Sequence, residues 1–170
     1  DEMLESLPEY AGHYDSAWFA GLAYIYKKET INIHDIFEIY TTSPYWNAFP
    51  RSPMVMDMTA HGERYLLINN HLKCCGDGVL DRQDSNDEEW RRLEAMDLLL
   101  EYIEENVPHE KVIVLGDLND NIAELSTNNV FQSFLDAPEK YRFVDMDIAM
   151  GSPEDWSFPS WPSHLDHILV

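Results

Sequence analysis

The chain has 170 residues, 11 basic and 32 acidic, for a formal charge of −21; 45% of it is hydrophobic and 12% aromatic. That is enough apolar material for one packed domain and too much for an acidic disordered chain, and no apolar run approaches the ~18 residues that cross a bilayer. So acidic a surface repels a polyanion at long range and lacks the counterion release behind non-specific nucleic-acid binding, but leaves room for a local cation site.

The opening Asp1-Glu-Met-Leu-Glu-Ser-Leu7 carries neither initiator Met nor secretory leader and reads as the inside of a domain. Residues 3–7 are expected to end a helix, stopped by Pro8. Residues 19–26 and 30–40 are rich in β-formers and are predicted as strands, followed by a loop with Pro44, Pro50 and Pro53. Residues 54–60 and 64–71 form a strand pair turned at His61-Gly62. The continuous apolar run Tyr65 to Ile68 suits a central strand covered on both sides. The polar stretch from Lys73 to Asn86 is a loop, with its acidic residues read as solvated. Ser85-Asn-Asp-Glu88 then fits a capping box. Trp90, Leu93, Met96, Leu100, Ile103 and Val107 recur at helical spacing and predict an amphipathic helix ended by Pro108. Residues 111–115 are a short apolar strand, 129–135 a short helix, 141–148 an extended segment and 165–170 a final strand. Strand, strand, helix, strand implies an α+β or α/β domain with helices packed on sheet.

Polar groups at the exits of buried strands are held by the sheet and exposed by the loop. Three such exits stand out: Asn69-Asn70-His71, Asp117 with Asn119, and Asp166-His167. Singly, each has a bland reading as an Asx turn or a hydrogen-bonded core histidine, although Asp166 among Leu165, Ile168 and Leu169 is expected to be buried and to need a partner. Together, two carboxylates, an amide and an imidazole can hold a hard divalent cation and a phosphate oxygen.

Four segments carry a resemblance to a known family: Gly21-Leu-Ala-Tyr-Ile-Tyr26, Asn69-Asn-His-Leu-Lys73, Leu115-Gly-Asp-Leu-Asn119 and His164-Leu-Asp-His-Ile-Leu-Val170. In order and spacing the chain resembles the endonuclease/exonuclease/phosphatase superfamily, metal-dependent phosphoesterases with a DNase I-like four-layer α/β/β/α sandwich. The resemblance implies a phosphodiester or phosphomonoester hydrolase, working by in-line attack of water with Mg²⁺, or alternatively Mn²⁺, as Lewis acid. It implies that Asp117 orients and deprotonates the water and is a possible metal ligand. It implies that Asn119 and His71 bind the phosphate and that Asp166 orients a catalytic His. Asn70 and Arg51 are the expected substrate contacts. The family's principal metal ligands, an Asn and a Glu, are expected ahead of Asp1, and its Ser-Asp-His motif beyond Val170. Residues 1–170 thus read as an interior fragment of one such domain, expected to be inactive alone; a catalytically incomplete binding module is the alternative.

Rival sites read less well. Adjacent Cys74 and Cys75 lack the spacing of structural zinc ligands and are expected to pack within their loop. The acidic stretches at 77–87 and 117–124 do not match an EF-hand. Arg91 and Arg92 are expected to pair with Glu88 and Glu94 on the helix. Acidity favours a small phosphoester or a lipid headgroup over long nucleic acid. Trp46, Phe49, Trp156, Phe158 and Trp161 in loops are candidates for stacking on it or for packing over sheet edges.

Overall fold

A computed structural model of the chain describes residues 2–15, 21–158 and 162–170. In chain order these form α1 (Glu2–Glu5), β1 (Tyr10–Asp15), β2 (Leu22–Lys27), β3 (Ile31–Glu38), β4 (Met54–Ala60) and β5 (Glu63–His71). They continue with α2 (Glu88–Asn106), β6 (Val112–Asp117), α3 (Gln132–Leu135), α4 (Met146–Ala149) and β7 (Asp166–Leu169). Strands β3-β4-β5-β6-β7 make one sheet in sequence order, and β1-β2 a second. Every pair is antiparallel except β5 with β6. A parallel pair needs a crossover, and α2 supplies it.

Alternation along the strands sends side chains to two cores. Leu66, Ile68, Val114 and Leu169 meet Leu93, Met96, Leu99 and Ile103 of α2 on one face. Met54, Met56 and Met58 of β4 meet Leu22 and Tyr24 of β2 on the other. Leu4 of α1 lies against Gly12 of β1, on the outer side of the small sheet. The order of layers is therefore helix, sheet, sheet, helix, as expected. The Tyr24 hydroxyl joins the two sheets: it donates to Met54 O (2.7 Å) and accepts from Asn69 N–H (3.1 Å).

Most expected elements form. His61 and Gly62 turn the β4–β5 hairpin with φ of 51° and 83°, the left-handed pair of a type I′ turn. A register shift between Ile33 and Asp35 explains why β3 alternates only in part. No helix among the described residues is long and apolar enough to cross a membrane.

Several expectations need correction. The helix cap is Asp87, whose carboxylate accepts the Trp90 N–H at 2.7 Å, not Ser85, because residues 84–87 close a turn of their own first. Leu99 rather than Leu100 joins the buried stripe of α2. The segment at 141–148 pairs only through Arg142 and Val144 and then turns into α4. There the Asp145 carboxylate, not a backbone carbonyl, accepts the Ile168 N–H at 3.0 Å, which ends the ladder. Strand β1 was not anticipated from its mixed sequence; pairing with β2 creates it. Asp166 is exposed rather than buried, since its face of β7 carries a 44% exposed Ile168 and lies outside the second core. Of the expected strand at 19–26, residues 19 and 20 lie outside the described residues, as does Trp161.

Candidate active site

Strands β5 and β6 end side by side, with His71 the Cα partner of Asp117, and β7 places Asp166 opposite Asp117 on the far side. Paired residues share a face, so all three point away from α2. His71 Nε2 stands 3.6 Å from Asp117 Oδ2, with the two side chains 30% and 35% exposed. Arg51 reaches the same corner and donates to His71 O at 3.4 Å. Asn119 follows in a left-handed conformation (φ 56°), its N–H donating to Asp117 Oδ1 (3.1 Å) and its Nδ2 to Leu72 O (3.2 Å). The Asp117 carboxylate is thus aimed by the backbone two residues ahead of it.

Gly116 makes this corner possible. Its φ is 126°, and a Cβ there would lie 2.0 Å from Asn70 O. Only glycine lets β6 come this close to β5 while turning Asp117 outward.

Asn70 does not join the site. It shares the α2 face with Leu66 and Ile68, is 2% exposed, and donates Nδ2 to Ile68 O. Side chains alternate along a strand, so one residue separates the wet rim from the dry core. Asn69 takes the site-facing position instead, donating Nδ2 to Ala23 O at 3.2 Å.

Electrostatics set two groups apart. Burial holds the Asp117 carboxyl above the ordinary carboxylate range, reinforced by Asp166 and opposed by His71, the Asn119 N–H and Arg51. Burial and the Arg51 charge hold the His71 imidazole below its usual value, against the pull of Asp117 and Asp166. A carboxylate crowded by a second carboxylate, beside a neutral imidazole, is a proton acceptor with a cation-seeking environment.

A cleft of about 610 Å³ opens beside these groups. Its walls include Asp117, Asn119, Asp166, Glu124, Trp156 and Phe158. Burial, with Asp120, pushes the Glu124 carboxyl up to about 7. Sequence reasoning missed the clamp behind the cleft. Arg92 is 2% exposed, and it does not pair with Glu88 or Glu94. It binds Asp120 Oδ2 (2.8 Å), Glu89 Oε1 (3.1 Å), Lys73 O (2.8 Å) and Cys75 O (2.9 Å). It ties the loop after β5 to the loop after β6, and only the parallel pairing of those strands brings the two loops together. Cys74 and Cys75 are exposed on the cleft wall rather than packed within their loop.

On the inner side of β7, His167 Nδ1 and His164 Nε2 share Asp145 Oδ2 at 2.6 and 2.9 Å, and His167 Nε2 reaches Asp120 O at 2.8 Å. Among the described residues, two groups of acidic and histidine side chains lie close enough to share a cation: this one, and Asp77 with Asp87 and Glu89. Neither includes a cysteine, so the zinc reading of Cys74 and Cys75 has no geometry behind it.

No family model matches the chain, and no curated protein does. Solved structures do. The human Nocturnin catalytic domain, with bound sulfate anion, matches at 16% identity and a TM-score of 0.65, over 99% of this chain and 62% of that one. Danio rerio TDP2 complexed with a single-strand DNA product matches at 15% identity and 0.66, over 99% and 64%. A mannosyl-6-phosphatase of Bacteroides thetaiotaomicron matches at 19% identity and 0.61, over 99% and 65%. With a Bacteroides vulgatus endonuclease/exonuclease/phosphatase also among the matches, the fold is that of the endonuclease/exonuclease/phosphatase superfamily. The chain spans less than two thirds of the length of the three structures described first.

Proposed function

We propose that residues 1–170 form the central part of a divalent-metal-dependent phosphoesterase, a single domain that hydrolyses a phosphodiester or phosphomonoester by in-line attack of water. The observation that carries this reading is the meeting of His71, Asp117, Asn119 and Asp166 at one rim of the sheet, beside an open cleft.

In this reading Asp117 accepts the proton of the attacking water. Its raised carboxyl suits that task, because a base works best when its pKa approaches the operating pH. The Asn119 N–H keeps that carboxylate turned to the water, and we assign the Asn119 side-chain amide to a phosphate oxygen. His71, neutral at pH 7, donates a hydrogen bond to the charge that builds on the phosphoryl oxygens. Arg51 attracts the phosphate toward the same corner. Asp166 pairs with and orients a catalytic His that we place outside these residues.

The donor set fits a hard cation such as Mg²⁺: two carboxylates and an amide, with negative charge in excess around Asp117. Asp117 would hold it here, and the family's principal ligands would come from beyond this chain. A bound divalent cation would supply Lewis-acid polarisation of the phosphoryl group.

For substrate we favour a small phosphoester, such as a sugar phosphate or a lipid headgroup. The −21 charge opposes a long polyanion, whereas Trp156 in the cleft wall offers a ring for stacking. Panel hydrolysis by the full-length protein, on single-stranded and abasic DNA, a sugar phosphate, inositol phosphates and sphingomyelin, decides this. Asp117→Ala is expected to lower kcat/KM about 10²–10⁴-fold, the range for a lost general base. Undiminished turnover in that variant would overturn the assignment.

A further inference from the structure

We infer that Asp77, Asp87 and Glu89 form a calcium site at the start of α2, separate from the proposed active site. One carboxylate oxygen from each residue lies within 4.8 Å of the others. Three carboxylates around one ion exceed the one or two that Mg²⁺ usually takes beside its retained waters, whereas Ca²⁺ accepts about six to eight oxygens in a flexible shell. The donor set therefore suits the larger ion.

Each carboxylate is oriented through one of its oxygens. Asp77 Oδ1 accepts from Val79 N (3.0 Å), Asp87 Oδ1 from Trp90 N (2.7 Å), and Glu89 Oε1 from Gly78 N (2.8 Å) and Arg92 Nη2 (3.1 Å). The other oxygen of Glu89 carries the inference. The Glu89 side chain is 3% exposed, yet its Oε2 is buried without a hydrogen-bond partner among the described residues. Arg92 pairs with Oε1 but is shared with Asp120, and Oε2 remains a buried acceptor without a hydrogen bond, which is costly. A calcium ion bridging Glu89 to Asp77 and Asp87 satisfies Oε2 and brings two positive charges to a cluster of three carboxylates, one of them already paired with Arg92.

The loop is shaped to admit the carboxylate. Gly76 has φ 103°, and a Cβ there would fall 2.2 Å from Glu89 Oε1 and 2.5 Å from Oε2. Gly78, also left-handed, turns its N–H onto the same group. From sequence, residues 77–87 read as a solvated loop; the buried Glu89, two residues beyond, changes that reading.

The test is calcium-dependent thermal unfolding and tryptophan-sensitised Tb³⁺ luminescence of the full-length protein. Calcium is expected to raise the unfolding midpoint of the wild type and of Asp117→Asn alike, because the second site does not depend on the first. In Asp77→Asn, at an exposed position that leaves the fold intact, the Tb³⁺ affinity should fall about tenfold or more and the calcium shift should vanish. Mg²⁺ at the same concentration should not reproduce the shift. A wild-type protein indifferent to Ca²⁺, or Asp77→Asn responding like the wild type, would overturn the site. Loss of the shift in Asp117→Asn would assign the calcium effect to the catalytic rim instead, and would also overturn it.

Discussion

Two clusters of aspartate and histidine lie back to back across the β6–β7 edge, and they differ in almost every physical respect. Inside, Asp145 accepts from His164, His167 and the Ile168 N–H, and His167 also reaches the Asp120 carbonyl; little bonding capacity is left for a ligand. Outside, His71 and Asp117 stand 3.6 Å apart, a third exposed, with Asp166 opposite and a cleft in front. The same residue types serve structure where their valences are filled, and we assign chemistry to them only where they are left open. Adjacent residues of β7 belong to different clusters, Asp166 to the outer and His167 to the inner, because successive side chains face opposite ways. The inner cluster also supports the outer one, since His167 and Arg92 both hold Asp120, three residues past Asp117.

The contrast can be broken from its inner side with the largest effect. Asp145→Ala leaves two buried imidazoles without their shared acceptor, and urea unfolding should show a loss of about 3–5 kcal/mol, the range for removing one member of a buried pair. The pH dependence has a definite sign. Burial raises the Asp145 carboxyl, but the His167 hydrogen bond and charge and the Ile168 N–H together bring it below its ordinary value. A depressed folded-state value means stability that is present above about pH 4 and lost as pH falls further, a slope that Asp145→Asn should lack.

Next in size is Gly116→Ala. Strained φ and a methyl against the Asn70 carbonyl should cost about 2–3 kcal/mol and displace Asp117, so activity falls further than the unfolding midpoint alone accounts for. A variant with wild-type activity would mean that the corner tolerates a different backbone.

At the rim itself, Asp166→Asn removes a charge that raises the Asp117 carboxyl. If Asp117 is the base, kcat/KM rises with pH along an acid limb above the usual carboxylate range, and this variant should move that limb to lower pH. An unmoved limb would detach the two residues.

The smallest effect belongs to Glu124. Its carboxyl, pushed up to about 7 by burial and by Asp120, favours the folded state most below about pH 4 and loses that contribution as pH rises through 7. Glu124→Gln should therefore unfold at a slightly higher temperature than the wild type at pH 8, with no difference near pH 4.

Much of the fold was legible because its signals are local. The His61-Gly62 turn needs residues tolerant of positive φ, the period of α2 is written in its own apolar residues, and β5 and β6 are short apolar runs bounded by polar ones. Strand β1 was not legible, since its six residues gain their conformation from β2. Among the proposed site residues, His71, Asp117, Asn119 and Asp166 are legible as polar groups at or just past strand ends, and the structure brings Arg51 to the same corner. The expected substrate contact at Asn70 fails because a run of two asparagines does not reveal which one lies on the core side. Register with Gly116 and with the methionines of β4 decides that.

What the sequence by itself determined is the set of turns, periods and strand-end motifs, all interactions between neighbours in the chain. Which side of each strand faces water, which arginine clamps two loops, and which carboxylate oxygen is buried without a hydrogen bond were decided by tertiary structure alone. Those properties depend on what is packed against a residue from distant parts of the chain, and no local pattern encodes that.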